Sequence, residues 1–168
     1  TAPEVRTLIE NSIADVIKEE YPEADVIMGT ATAGIAHAAI AAHILGLPMG
    51  YVRSGAKDHG RGNQIEGQLN KGDKVVIVED LISTGGSVID AATALRNAGA
   101  EVLGIVSIFT YGMQKGLDRL AQENLKNISL TNFDVISEVA VDESYIRPED
   151  RERLIAFRNN PSDEGWIK

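Results

Sequence analysis

The stretch KVVIVEDLISTGGSV, residues 74–88, joins an apolar run to two acids and then to a loop of small polar residues and glycines. Its first part predicts a strand over Val75–Glu79, because uninterrupted apolar sequence is typical of a strand buried on both faces of a parallel sheet. Glu79 and Asp80 lie at the carboxyl end of that strand. After the loop we predict a helix capped by Ser87 and ending near Asn97. A strand, a glycine-rich turn and a helix form the repeating unit of a parallel α/β sheet.

The same alternation of strands and helices extends to both sides of this stretch. Further strands are predicted over residues 24–29, 48–53, 102–110 and 128–130. Further helices are predicted over residues 3–20, 35–45, 115–123, 132–140 and 148–158, with one long polar loop over residues 54–67. We therefore expect a single α/β domain, residues 1–168, with a central, mostly parallel sheet flanked by helices. Ligands of such sheets bind beyond the carboxyl ends of the strands, at the loops over residues 30–34, 54–67 and 80–86.

The composition limits the class of protein. The 168 residues include 16 Lys and Arg against 25 Asp and Glu, which gives a formal net charge of −9. A general nucleic-acid binder needs a basic surface to displace the counterions of the phosphates, so we expect no nucleic-acid partner. The sequence contains no cysteine, and therefore no disulfide or thiolate metal site. No apolar run reaches membrane-spanning length and no signal peptide is apparent, so we expect no membrane partner and a cytoplasmic location.

The loop from Ser83 to Ser87 has the chemistry of a phosphate-binding site. Its glycines let backbone N–H groups approach a ligand, its hydroxyls add donors, and the start of the following helix carries partial positive charge. Glu79 and Asp80 would repel a phosphate, but carboxylates accept hydrogen bonds from the vicinal hydroxyls of a ribose. The stretch therefore predicts a site for a ribose 5-phosphate. The alternative, on the residues alone, is a strand end with two solvated acids and a flexible turn.

The segment VVIVEDLISTGGS resembles the 13-residue signature with which type I phosphoribosyltransferases bind phosphoribosyl pyrophosphate (PRPP). Two more segments narrow the resemblance to orotate phosphoribosyltransferases. GTATAG, residues 29–34, is similar to their pyrophosphate-binding loop, and KDHGRGNQIEG, residues 57–67, to their mobile catalytic loop. The resemblance extends from Pro3 to about Arg158. It implies a type I phosphoribosyltransferase-like fold.

This resemblance implies that ribose 5-phosphate is transferred from PRPP to orotate, giving orotidine 5′-monophosphate and pyrophosphate in the synthesis of UMP. It implies that four residues are catalytic, namely Lys57, His59, Glu79 and Asp80. PRPP is expected to contact these four and also Arg53, Leu81, Ile82, Ser83, Thr84, Gly85, Gly86 and Ser87. The pyrophosphate loop corresponds to Thr30, Ala31, Thr32 and Ala33. Ser83 is also expected to reach orotate.

The chemistry of a departing pyrophosphate requires cations nearby, since negative charge builds on it in the transition state. Arg53, Lys57 and His59 together with Mg²⁺ meet that need. We expect the Mg²⁺ to be held mainly by substrate oxygens, with no dedicated protein ligands. The resemblance further implies a homodimer with shared active sites, in which the loop over residues 54–67 closes over the site of the neighbouring subunit.

Several positions depart from the pattern of better-known members of the family. The amino-terminal segment that covers the orotate ring has no counterpart before Thr1, and Ser54 stands where a lysine is usual. Thr32-Ala33 replaces a Tyr-Lys pair, and no arginine follows the strand that ends near Thr110.

Two functions are alternatives to an orotate phosphoribosyltransferase. One is a purine phosphoribosyltransferase acting on adenine or xanthine, and the other is a non-catalytic regulator that senses PRPP. The loop over residues 57–67 favours orotate, while the net charge and the single domain argue against a regulator.

Overall fold

A computed structural model describes residues 2–55 and 64–167 of the chain. Its strands are β1 (Val26–Thr30), β2 (Met49–Val52), β3 (Ile65–Glu66), β4 (Lys74–Ile82), β5 (Glu101–Thr110) and β6 (Asn127–Asn132). Its helices are α1 (Pro3–Glu20), α2 (Gly34–Leu45), α3 (Gly86–Asn97), α4 (Gln114–Gln122), α5 (Phe133–Asp142) and α6 (Pro148–Asn159), followed by a 3-10 turn over Glu164–Ile167. None of the helices in this part of the chain is long and apolar enough to cross a membrane.

The strands form one sheet in the order β3-β2-β1-β4-β5-β6. All neighbours are parallel except β3, which pairs antiparallel with β2. The mostly parallel sheet predicted from the sequence is therefore confirmed. The chain moves from β1 outward to β2, and then returns to place β4 on the other side of β1. This reversal is the topological switch point, where the loops after two adjacent strands diverge and leave a crevice.

Helices cover both faces of the sheet. Val75 and Ile77 of β4 pack with α3 on one face, and Val76 and Val78 pack with α2 on the other. All four valine and isoleucine side chains are fully buried, as the unbroken apolar run predicted. Each such side chain contributes roughly 1.5–3 kcal/mol of hydrophobic stabilisation. The centre of the core therefore lies directly beneath the candidate site at the end of β4.

Strand β4 is longer than the sequence predicted. It continues beyond Glu79 to Ile82, because β5 also extends and pairs with it as far as Ile82 opposite Thr110. Glu79 and Asp80 therefore lie within the last four residues of a paired strand, which gives them a fixed backbone. The prediction that the strand ends on the acids was wrong.

Two local predictions also need correction. Ile65 and Glu66, predicted to lie in an unbroken loop, form the short strand β3 opposite Val52 and Tyr51. Ser87 was expected to cap α3, but the N-cap is Gly85, two residues earlier, and the helix begins at Gly86. Gly85 has φ +74°, a left-handed conformation that glycine adopts without the steric cost of a Cβ.

Candidate active site

The two acids of β4 differ in their surroundings. Glu79 is buried, with 5% of its surface exposed, whereas Asp80 is half-buried. A carboxylate oxygen of Glu79 accepts a hydrogen bond of 3.0 Å from the backbone N–H of Asp80. Thr30, at the end of the adjacent strand β1, is also buried and donates from its hydroxyl to the Val78 carbonyl at 3.3 Å. Adjacent strand residues point to opposite faces, so the two carboxylates lie in different environments.

Burial, the largest cause, and the hydrogen-bonded side chain of Asp80 together raise the pKa of Glu79 to about 7. The backbone N–H of Asp80 acts in the opposite direction, because its hydrogen bond stabilises the charged form of Glu79. Near neutral pH Glu79 therefore exists both as a carboxylic acid and as a carboxylate. It can donate a hydrogen bond to a ligand hydroxyl as well as accept one.

The phosphate-binding loop predicted over residues 83–87 spans the connection from β4 and the first two residues of α3. Gly85 closes this turn, and Gly86 is the first residue of α3. The first N–H groups of a helix have no partner within the helix and are free to bind an anion. Among the described residues, a Cβ added at Gly86 would come within 4 Å of the Arg119 side chain only, at 3.5 Å. The space above Gly86 is therefore open to a ligand.

The predicted pyrophosphate loop, residues 30–33, forms a tight connection from β1 to α2. Its peptide bond between Ala31 and Thr32 is cis, and the Ala31 N–H donates to the Val52 carbonyl of β2 at 2.8 Å. The glycine that begins α2 makes the connection possible. A Cβ at Gly34 would lie 2.6 Å from both the Thr30 hydroxyl and the Val78 carbonyl. Thr32 and Ala33 are exposed, so the outer part of the loop faces solvent.

Arg53 follows β2 and lies near both loops. Its backbone N–H donates to the Gln64 carbonyl at 2.8 Å, and its Nη1 donates to a carboxylate oxygen of Glu66 at 3.2 Å. Sequence reasoning assigned no chemistry to Glu66, since only the fold brings it to Arg53. Arg53 lines a cleft of about 550 Å³ to which both predicted loops contribute. The lining includes Thr30, Ala31, Arg53, Gly86 and Ser87.

The remaining predicted site residues fall into three groups. Lys57 and His59 lie outside the described residues. Ile82 is buried at 3% exposure, so its side chain belongs to the core, while Leu81 is 40% exposed. Ser83 borders a second cavity of about 380 Å³, together with Thr110 at the end of β5. In the described ranges, no group of three or more His, Asp and Glu side chains is placed to hold a metal ion.

Comparison with known proteins assigns the family. Residues 2–144 match the phosphoribosyl transferase domain family. The orotate phosphoribosyltransferase of Listeria innocua is 55% identical over 166 residues, which are 99% of this chain and 78% of that protein. The orotate phosphoribosyltransferase structure from Aeropyrum pernix is 28% identical with a TM-score of 0.74, over 82% of this chain and 76% of that chain. The adenine phosphoribosyltransferase structure from Leishmania tarentolae, at 22% identity and a TM-score of 0.64 over 80% of this chain and 73% of that chain, shares the fold alone. This chain therefore belongs to the orotate phosphoribosyltransferase family.

Proposed function

We propose that this protein transfers ribose 5-phosphate from PRPP to a ring nitrogen of orotate and releases pyrophosphate. The observation that carries the proposal is the 55% identity, along nearly the whole chain, to an enzyme named orotate phosphoribosyltransferase. The fold alone does not discriminate, because an adenine phosphoribosyltransferase shares it. In the reaction, the bond between ribose C1 and a pyrophosphate oxygen breaks. A bond from C1 to the orotate nitrogen forms, and that nitrogen loses its proton.

The candidate site offers a separate group for each part of PRPP. The N–H groups of the glycine loop and of the first turn of α3 suit the 5-phosphate. Glu79 and Asp80 suit the ribose hydroxyls, and the pKa of Glu79 near 7 lets this group donate or accept. Arg53 suits the pyrophosphate, since a guanidinium fork matches phosphate oxygens. On this proposal, phosphate oxygens replace the Glu66 carboxylate as the partner of Arg53.

The transition state calls for charge stabilisation more than for covalent chemistry. Positive charge develops on the ribose ring, and negative charge develops on the departing pyrophosphate. Asp80 can stabilise the positive charge on the ribose, while Arg53 can stabilise the negative charge on the pyrophosphate. Lys57 and His59 remain predictions of the sequence for the same task. When bound, Mg²⁺ would neutralise part of the pyrophosphate charge, and the accessible Asp80 carboxylate beside the buried Glu79 fits an ion held mainly by substrate oxygens.

We further propose that the protein acts in the cytoplasm as a homodimer with shared active sites. The segment that carries Lys57 and His59 follows Gly55, which is exposed and lines the cleft.

The activity can be tested by following the ultraviolet absorbance of orotate. We expect consumption of orotate when PRPP and Mg²⁺ are both present, and none when either is omitted. Parallel reactions with adenine and xanthine in place of orotate test the purine alternative. Product from a purine but not from orotate would contradict the proposed function. PRPP binding without turnover of any of the three bases would favour a regulator instead.

A further inference from the structure

Helix α4 packs directly against the glycine loop over residues 83–87. Gly116 is buried in the first turn of this helix, and a Cβ added there would lie 2.5 Å from the backbone carbonyl oxygen of Ser83. One turn later Leu120 is buried and lies 3.6 Å from the position that a Cβ of Gly85 would occupy. Because residue 116 is a glycine, α4 comes close enough for its side chains to contact the loop backbone.

One charged side chain of α4 reaches the loop. Nη1 of Arg119 donates a hydrogen bond of 3.2 Å to the backbone carbonyl of Thr84. Its two terminal nitrogens lie 3.5 and 3.9 Å from the position that a Cβ of Gly86 would occupy. Within the ranges that the structure describes, Arg119 forms no salt bridge with a carboxylate. Within these ranges, the positive charge of Arg119 is therefore not paired with a carboxylate.

The hydrogen bond from Arg119 sets the direction of the peptide group between Thr84 and Gly85. The carbonyl and the N–H of a trans peptide point in opposite directions. Holding the Thr84 carbonyl toward α4 therefore turns the Gly85 N–H away from α4. A charged donor on the carbonyl also polarises the peptide group, which makes its N–H a stronger hydrogen-bond donor.

We propose that Arg119 is a positioning residue for the 5-phosphate of PRPP. Through the Thr84 carbonyl it orients the Gly85 N–H as a donor to the phosphate, and its own positive charge beside the loop favours an anion there. This inference rests on the proposed function, because it assumes that the loop receives the 5-phosphate. Arg119 acts on the phosphate end of the substrate and not on the reacting carbon. Its loss should therefore weaken substrate binding more than it slows turnover of bound substrate.

The test compares Arg119→Met and Arg119→Lys with the matched control Arg96→Met. Arg96 lies on α3 and likewise donates to a backbone carbonyl, that of Glu123 at 3.1 Å, but it is not part of the loop contact. Calorimetry measures the affinity for ribose 5-phosphate and, separately, for magnesium pyrophosphate. We expect Arg119→Met to weaken ribose 5-phosphate binding at least about tenfold, with pyrophosphate binding changed by less than about twofold. Arg119→Lys should recover part of the loss, and Arg96→Met should change neither affinity.

The possible outcomes separate this inference from the proposed function. If folded Arg119→Met binds ribose 5-phosphate as the wild type does, or loses both ligands equally, the inference is overturned. Arg119→Gln is the smaller change to use if Arg119→Met does not fold, judged by the same two affinities. Wild-type protein that binds neither ligand would contradict the proposed function itself. A second readout is the amide proton signal of Gly85, which ribose 5-phosphate should shift in the wild type and much less in Arg119→Met. An equal shift in both proteins would also overturn the inference.

Discussion

Glu79 and Asp80 are adjacent carboxylates whose burial gives them different properties. Glu79 is almost inaccessible to solvent in the ligand-free protein, and burial raises its pKa to about 7. A carboxyl group whose pKa is raised on folding favours the folded state only while it is protonated. Its stabilising contribution is therefore complete below its ordinary pKa of 4.5 and is lost as the pH rises through about 7.

The pH dependence of this contribution leads to a prediction for Glu79→Gln, which keeps the shape of the side chain and removes its charge. At pH 8 the ligand-free variant should be more stable than the wild type by about 1–3 kcal/mol, because the wild type carries a buried charge there. At pH 5 the two proteins should melt at nearly the same temperature. Thermal unfolding at both pH values measures the difference. Glu138→Gln, at an exposed position, is the control and should change neither melting temperature.

A variant that melts no higher than the wild type at pH 8 would show that Glu79 is not held in an unfavourable charged state. The same substitution should lower kcat/KM if Glu79 contacts the ribose. A gain in stability combined with a loss of activity is typical of a residue retained for function.

A second prediction at the scale of one residue concerns Gly86, the first residue of α3. A side chain there would occupy the space that the phosphate is proposed to fill, while the described protein atom nearest to its Cβ would be Nη1 of Arg119, at an ordinary contact distance of 3.5 Å. We therefore expect Gly86→Val to fold normally and to bind PRPP at least about a hundredfold more weakly, a loss of about 2.7 kcal/mol. Calorimetry with PRPP measures the affinity, and circular dichroism checks the fold. PRPP affinity equal to that of the wild type would place the phosphate elsewhere.

At the scale of elements, the connection from β1 to α2 depends on close backbone packing. A glycine in a helix is usually less favourable than alanine by up to about 1 kcal/mol. Gly34 should be an exception, because an alanine Cβ would lie 2.6 Å from the Val78 carbonyl and the Thr30 hydroxyl. We expect Gly34→Ala to lower the free energy of unfolding by about 1–3 kcal/mol, measured by urea denaturation.

The control for Gly34→Ala is Ala36→Gly, at an exposed position of the same helix. It should cost only the usual helix propensity of glycine, about 1 kcal/mol. If Gly34→Ala instead stabilises the protein, α2 must be able to move away from β1 and β4. The pyrophosphate loop would then be less firmly held than the distances indicate.

The elements themselves were largely predictable from local sequence. Apolar periodicity, prolines and glycines predicted α1, α2 and the parallel strands, because each of these signals acts within one element. Strand β3 was missed, since two residues carry no periodicity and Ile65–Glu66 form a strand only through the pairing partner β2. The extension of β4 to Ile82 was missed for the same reason, because β5 supplies its partners.

At the scale of the whole molecule, the sequence predicted which loops would meet but not the contacts that connect distant segments. The rule that ligands bind at the carboxyl ends of parallel strands placed residues 30–34 and 80–86 at one edge, and both contribute to the observed cleft. Arg119 reaches the loop only because α4 packs there, and no local motif marks it. Glu10 is similar, since its buried carboxylate meets His37 of α2 at 2.7 Å, 27 residues away. Such contacts follow from the packing of helices, and this packing cannot be read from a single sequence.

The proposed homodimer leads to a prediction about mixed subunits. One parent carries Lys57→Ala with His59→Ala and retains its acids. The other parent carries Asp80→Asn and retains Lys57 and His59. As homodimers both should be nearly inactive, because every site lacks either the cations expected at the pyrophosphate or an acid expected at the ribose. For Asp80→Asn alone we expect kcat/KM to fall at least about tenfold.

If the segment that carries Lys57 and His59 serves the neighbouring subunit, mixing the two parents should restore activity. In a heterodimer, one site combines intact acids from the first parent with Lys57 and His59 from the second, while the other site lacks both. The heterodimer should therefore reach at most about half of the wild-type activity if the sites are independent. Orotate consumption after subunit exchange measures the recovery, and differently tagged subunits verify that heterodimers have formed. If each site used its own subunit's residues, both sites of the heterodimer would be defective and no activity would return. Verified heterodimers as inactive as their parents would thus contradict sharing, and Lys57 and His59 would have to serve their own subunit or neither.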